Sequence, residues 1–481
     1  MNSPTNPFSR RQFLGRAACA ALGSTGLMSA MGTLRLFNAT LAAQTVPTDG
    51  HKALVCLFLY GGNDSNNMLV PYDQTNYDIY FGARGDISLA RETLLPLNGT
   101  APDGREFAVH PSMGRLQSVF NEGKAAFLAN VGTLVAPITR AEYRNGGAAV
   151  PPYLFSHNDQ QVQWQTSVPD SGKKIGWGGR VADLLHELNG ADSVSMNISI
   201  GGNNFFQVGN QTALFPMSTT GTKGLSEYLS QNTPQKQQYA ALNDIRHLSY
   251  SHMFEAEYAS VLNSAIDKDL LVKDTLANTP QFDRAATPAR PNDRNLFPNA
   301  RNAQNQLTGL GSQLHMILRL IYAQAPLHLQ RQIFFCQAGG WDTHDNQIVD
   351  HANLLTSLSN AVSDFYRATV TLGISENVTL FTASDFNRTF SSNAKGSDHA
   401  WGGHHFVVGG DVAGGQIYGR MPIFQSGGPD DTGSRGSWIP TMSTDEYAAT
   451  LAKWFGVSES NMPLALPNIG RFANPDVGFM G

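Results

Sequence analysis

The chain has 481 residues, of which 15% are charged and 41% hydrophobic, with a formal net charge of −5 at pH 7 and three cysteines. An acidic chain of this balance lacks the basic footprint that nucleic-acid binding needs, so no nucleic acid is expected as a partner. Three cysteines make no disulfide framework, and no run after residue 43 is long and apolar enough for a transmembrane anchor.

The first forty or so residues carry a targeting pattern. Ser9-Arg10-Arg11-Gln12-Phe13-Leu14 sets paired arginines before Phe-Leu, and an apolar stretch of small residues runs from Ala17 to about Met31. Small residues then surround Leu41-Ala42-Ala43, a cleavage point before Gln44. This layout predicts a twin-arginine signal peptide over residues 1–43, with the twin-arginine export machinery as a partner and a periplasmic or secreted location. Arg16 stands where a lipid-attachment motif around Cys19 would need an apolar residue. Removing residues 1–43 takes away four arginines and no acid, which moves the net charge from −5 to −9. The route carries folded proteins, often with a metal or cofactor already bound, which is a first pointer to a metal site.

Beyond residue 43, short apolar runs suited to buried strands occur at residues 53–60, 125–131, 194–200, 332–337, 378–383 and 406–409. Cys56 and Cys336 lie in two of these runs and read as buried free thiols. Helical spacing of apolar residues marks 310–323, 351–372 and 444–455, the last with Asp445 and Glu446 in its first turn. Strands alternating with helices predict one α/β domain over residues 44–481, its central, mostly parallel sheet covered by helices on both faces. Residues 274–305 are rich in Pro, Asn, Asp and Arg, and read as a mobile surface excursion.

Five polar clusters follow apolar strands or open helices, where the strand ends of a parallel sheet form a binding crevice. Gly61-Gly62-Asn63-Asp64 ends the first strand; Asp64 is either a hard oxygen ligand for a cation or a turn residue. Ser156 precedes His157 at a helix start, as a nucleophile favoured by the helix dipole or as a plain cap. Asp342 and His344 stand two apart after the strand ending near Gln337 and can bind one ion through oxygen and nitrogen, or serve as a capping loop. Asp385 ends the next strand, with Arg388 three residues on, able to hold an anionic substrate by a forked pair of bonds or to form an internal ion pair. His399, His404 and His405 fall within seven residues before the last strand, a cluster that favours metal binding. There is no GxxxxGK[ST], GxSxG, HExxH or paired CxxC motif.

Together these segments resemble the twin-arginine-exported bacterial domain-of-unknown-function family 1501, which is placed in the alkaline phosphatase and sulfatase-like superfamily. The resemblance rests on LYGGNDSNNMLVPY from Leu59, the Ser156-His157 segment, GGWDTHDNQ from Gly339, SDFNRT from Ser384, SDHAWGGHHFVVGGDVAGGQIYGR from Ser397, and the closing stretch from Thr444. It implies an alkaline-phosphatase-like fold and divalent metal ions, zinc, calcium or another, at the strand ends. By position Asp64, Asp342, His344, Asp385 and His404 would be metal ligands, and Ser156 the nucleophile. Arg388 would orient the substrate, and His399 would act as ligand or general acid. The departure is Phe386, which stands where the superfamily has a ligand histidine; His399 is the residue placed to replace it.

The implied activity is metal-dependent hydrolysis of a phosphate or sulfate ester, with a small anionic ester or sugar ester as substrate. The alternative is a non-catalytic cell-envelope binding or assembly protein on the same scaffold with a degenerate metal site. Trp164, Trp177, Trp341 and Trp401 lie near these segments, either in the core or lining an aromatic sugar subsite.

Overall fold

The computed structural model describes residues 50–190, 193–222 and 233–481. The signal peptide expected over residues 1–43, with Arg10, Arg11 and Cys19, lies outside the described residues. Among those described, no helix is long and apolar enough to cross a membrane.

The first strand, β1 (Lys52–Leu59), is an unbroken apolar run, and Ala53–Leu59 are buried throughout. That pattern belongs to a strand covered on both faces. Three strands, β2 (Leu69–Pro71), β3 (Leu95–Thr100) and β4 (Glu106–Val109), form a small antiparallel sheet of their own. The main sheet continues with β5 (Ala125–Gly132), β6 (Asn197–Ser199), β7 (Phe215–Pro216), β8 (Arg331–Ala338), β9 (Val378–Ser384), β10 (Gly403–Gly409), β11 (Ile417–Tyr418) and β12 (Met442–Ser443).

The order across the main sheet is β11-β5-β10-β9-β1-β8-β6-β7, with β12 also on β5. β1 pairs in parallel with both β8 and β9, and β6 pairs in parallel with β8 and β7. Only β10 runs against its neighbours β5 and β9. The sheet is therefore mostly parallel, and every expected strand lies in it. Because β10 is reversed, its first residues lie beside the last residues of β9 and β1. The clusters after β1, β8 and β9 and the one before β10 thus share one edge of the sheet.

Helices cover both faces. α1 (Gln74–Arg84) follows the short strand β2, and α2 (His157–Thr166) lies over β9. α3 (Gly309–Tyr322) and α4 (Gln347–Thr371) pack against each other beneath the core that takes Ala53, Val55, Leu57 and Leu59. The alternate residues Cys56 and Phe58 face Trp164, Trp177 and Tyr447 instead. Tyr447 belongs to α5 (Thr444–Phe455), whose start is a capping box: Ser443 Oγ accepts from Glu446 N at 3.0 Å, and Glu446 Oε2 accepts from Ser443 N at 2.8 Å.

One expectation is revised. The helix Met253–Asn278 enters the supposed surface excursion, and the irregular chain after it is tied down. Phe282 and Phe297 are buried, and the backbone N–H groups of Asn299 and Ala300 donate to the Asp364 carboxylate at 2.7 and 2.9 Å. Trp164, Trp177, Trp341 and Trp401 are all buried, as core residues rather than the lining of a subsite.

Asp445, in the first turn of α5, is enclosed by the fold. Burial pushes its carboxyl up to about 7, against the opposing pull of Ser167 and Arg180. The folded chain then holds this proton more tightly than the unfolded chain, whose value is near 3.8. The group favours folding fully below about pH 4, and that contribution is lost as pH rises through 7. Asp445→Asn should therefore gain on the native protein across that interval, by up to about 4 kcal/mol, and hold the gain above it. Urea unfolding of both proteins across the range tests this; a pH-independent difference would refute it.

Candidate metal centre

The site begins with the two glycines after β1. Gly61 and Gly62 take φ of +119° and +83°, and a Cβ on either would lie 2.5 Å from the Asp342 amide or the Phe386 ring. Glycine is required there because the end of β1 passes directly beneath the loops after β8 and β9. Arg388 fills the junction. Its guanidinium is fully buried; Nε donates to Gly62 O at 2.9 Å, Nη1 to Ser397 O at 3.2 Å, and Nη2 to Gly61 O and to Asp342 Oδ1.

Asp342 rises above that arginine, its side chain 47% exposed. Burial works to raise its carboxyl, but the bond and charge of Arg388 outweigh this and hold it below the usual carboxylate range. Three imidazoles surround it. His157 Nε2 is 3.6 Å from Asp342 Oδ2, His399 Nε2 is 3.5 Å from Oδ1, and His344 Nε2 is 3.1 Å from Oδ1. His344 Nε2 and His399 Nε2 are 3.0 Å apart. One donor atom from each of His157, Asp342 and His399 lies within 4.8 Å of the others.

The far nitrogen of each ring is already used. His157 Nδ1 donates to Asp385 Oδ2 at 2.7 Å, and His399 Nδ1 donates to the Phe155 carbonyl at 2.8 Å. His344 Nδ1 faces Asp398 Oδ1 at 3.3 Å. In the neutral rings these bonds leave the lone pair on Nε2; that of His344 accepts from Arg388 Nη1 at 3.3 Å, while those of His157 and His399 are turned toward Asp342. Lone pairs converging this closely fit a bound cation, and the residues present suit one: His157, Asp342 and His399 offer three donors, with solvent on the open side. The bond to Asp385 raises the basicity of His157, whereas burial lowers that of His399. Phe386 forms the floor, its ring 4.8 Å from His157 and 4.5 Å from His399.

The expected site residues divide. Asp342, His344 and His399 are brought together, and Asp385 stands behind them as the partner of His157 rather than as a direct donor. Gln161 Nε2 donates to the same Asp385 oxygen at 2.9 Å, while Asp385 Oδ1, buried, has no hydrogen-bond partner. Arg388 is a correction: it is spent on Asp342, His344 and backbone carbonyls, below the site, and does not reach out to an anion. Ser156 is another: its Oγ donates to Asp159 Oδ2 at 2.6 Å, away from the imidazoles, and caps no backbone N–H.

Asp64 and His404 are corrected as ligands. Asp64 is fully buried in an ion pair with Arg84, accepts from Gln347, and closes an Asx turn through Asn66 N at 3.1 Å. His404 is buried in β10, where Nδ1 accepts from Asn130 N at 3.1 Å, and burial lowers its pKa to about 3. Nothing in the hydrogen-bonding of the described residues brings either one to Asp342. The residue missed is His157. It lies next to Ser156, and its one signal was an imidazole at a helix start among acceptors.

The fold and this cluster define an α/β protein with an open His/Asp centre at the carboxyl edge of a mostly parallel sheet. More narrowly, the chain belongs to the family described as Protein of unknown function (DUF1501), matched over residues 51–431. No curated protein matches it. Among solved structures it is similar to Ps i-CgsB, at 10% identity and a TM-score of 0.33 over 86% of this chain and 74% of that one. It is also similar to the phosphonate monoester hydrolase SpPMH from Silicibacter pomeroyi, at 8% identity and a TM-score of 0.33 over 87% of this chain and 77% of that one.

The role of Asp64 can be tested by experiment. Asp64→Asn should leave metal content unchanged but cost about 3–5 kcal/mol, because Arg84 then stays buried without its counter-charge. Elemental analysis alongside denaturant unfolding reads both; loss of metal with little loss of stability would return Asp64 to the ligand set.

Proposed function

We propose that the protein is a metal-dependent hydrolase of phosphate or sulfate esters, working on a small anionic ester or sugar ester at His157, Asp342 and His399. The observation that carries this reading is the convergence of three oriented donors around a half-exposed carboxylate. A structural metal site would be closed by four ligands; one with three and an open position is built for catalysis. Two imidazole nitrogens and one carboxylate suit zinc or another first-row ion better than calcium, which takes six to eight oxygens.

A divalent ion held there supplies Lewis-acid polarisation of the ester oxygen. The chain's own residues do the rest. Asp385 holds the His157 ring in place, the Phe155 carbonyl holds His399, and Arg388 fixes Asp342 from below. His344, exposed beside Asp342 and backed by Asp398, is the residue placed to carry a proton between water and leaving group. An anionic ester is tolerated because the carboxylates here are engaged: Asp385 with His157, Asp342 with Arg388, Asp398 with Arg435. Water is the attacking group in this reading, since the Ser156 hydroxyl is turned to Asp159. Twin-arginine export to the periplasm or beyond belongs to the same proposal and is supported by the Arg10-Arg11 pattern.

One observation favours the second reading, a non-catalytic envelope binding or assembly protein. Arg388 already balances Asp342, so the carboxylate's charge needs no metal. Metal analysis and a screen of aryl phosphate, phosphodiester and sulfate esters decide between them. The expected result is bound metal and hydrolysis in the native protein. His157→Ala and His399→Ala should lose metal and lower the rate by on the order of a hundredfold or more, with Ser156→Ala within a few-fold of native. Absence of both metal and hydrolysis in the native protein would establish the binding reading, and loss of activity in Ser156→Ala alone would reinstate the serine as nucleophile.

A further inference from the structure

A cleft of about 870 Å³ opens along α2, the helix that begins with His157. That volume is within the range of sites that enclose a small ligand, roughly 300–1,000 Å³. The cleft and the metal centre are joined through α2 itself: Gln161 lines the cleft and donates to Asp385, the carboxylate that holds His157.

Much of the lining surface is apolar, and its three charged side chains, Asp159, Asp170 and Lys174, are each engaged. Asp170 is paired with Arg471 at 2.7 Å, Asp159 accepts from Ser156, and the Lys174 ammonium lies over the Phe205 ring at 5.5 Å. The groups left free are the amides of Asn158 and Asn203, which form no hydrogen bond within the described protein. Each offers donors and an acceptor together, which matches hydroxyl groups better than carboxylates or phosphates. Tyr60, Tyr153 and Phe205 add aromatic surface, against which the C–H faces of a sugar ring can lie.

The backbone makes a second, independent case. Tyr153 and Phe155 both take positive φ, 54° and 72°, a conformation that bulky residues rarely adopt. The Tyr153 ring is nonetheless 74% exposed, so no packing of that ring accounts for the strain. The same short segment presents Tyr153 to the cleft and the Phe155 carbonyl to His399. One strained turn thus positions an aromatic face on one side and a metal-centre imidazole on the other.

We infer that this cleft binds the uncharged, polyhydroxylated part of the substrate, a neutral sugar chain, and places its ester group at the centre. The inference rests on the ester-hydrolase reading for its purpose, but sugar binding in the cleft needs neither the metal nor the reaction. Saturation-transfer NMR and calorimetry on the chain without residues 1–43 test it, with cellohexaose, xylohexaose, laminarihexaose, maltohexaose and chitohexaose as probes. At least one should bind with a Kd of roughly 0.01–1 mM. Tyr153→Gly combined with Asn203→Ala should weaken that binding by about tenfold or more, and glycine keeps the left-handed backbone so that the turn survives. Asp342→Asn, which touches neither the cleft nor the turn, should bind the sugar as the native protein does, so a failed hydrolase reading and a failed cleft reading give different results. Binding of none of the five overturns the inference. So does binding that survives the double substitution, or a peptide or heparin occupying the cleft in their place.

Discussion

The buried guanidinium of Arg388 is the point on which this edge of the molecule depends. A charge removed from water must be neutralised and its donors satisfied, or the cost is several kcal/mol. Arg388 meets that demand by reaching the carbonyls of Gly61 and Gly62 after β1, Ser397 before β10, and the Asp342 carboxylate after β8, while itself following β9. Three chain segments distant in sequence, after β1, after β8 and between β9 and β10, are held by one side chain. The positive φ of Gly61 and Gly62 is the backbone counterpart: only without a Cβ can β1 end close enough for its carbonyls to be reached.

A second buried pair supports this layer from below. Asp64 and Arg84 are both inaccessible to solvent, and Arg84 Nη1 also donates to Thr389 O at 2.9 Å, in the same loop that carries Arg388. His351 adds a neutral imidazole against Asn63 Oδ1 at 2.9 Å, with burial lowering its pKa to about 3. The polar residues after β1 therefore face inward and build the platform. Those after β8 and before β10 face outward and build the centre.

This division explains what was legible in the sequence. Apolar runs and helical spacing locate the central strands and the long helices because burial leaves a periodic signature that needs no knowledge of partners. The convergence of polar clusters at one edge follows from the same pattern, since parallel strands end together. The roles of individual residues within a cluster do not follow. Asp64 reads as a ligand until Arg84 is known to oppose it, and nothing local announces a pairing across twenty residues of chain. Ser156 and His157 are adjacent, and the left-handed turn at Phe155 decides which of them faces Asp342. His404 and His399 are five residues apart, but β10 has begun by His404, so its ring is committed to the sheet interior while His399 remains on the loop.

Phe386 shapes the cluster without contributing a donor to it. An aromatic ring in that position supplies no lone pair, so any ion must be held by the remaining donors. The ring packs against both His157 and His399, limiting their rotation and keeping water from their inner faces. Arg388 lies 5.8 Å from the same ring, so the cation, the aromatic floor and the imidazoles form one stack. An arginine fixed under Asp342 occupies Oδ1 and leaves Oδ2, directed toward His157, as the oxygen available to an ion. The cluster accordingly has a permanent positive charge supplied by the chain itself, the Arg388 guanidinium fixed under Asp342.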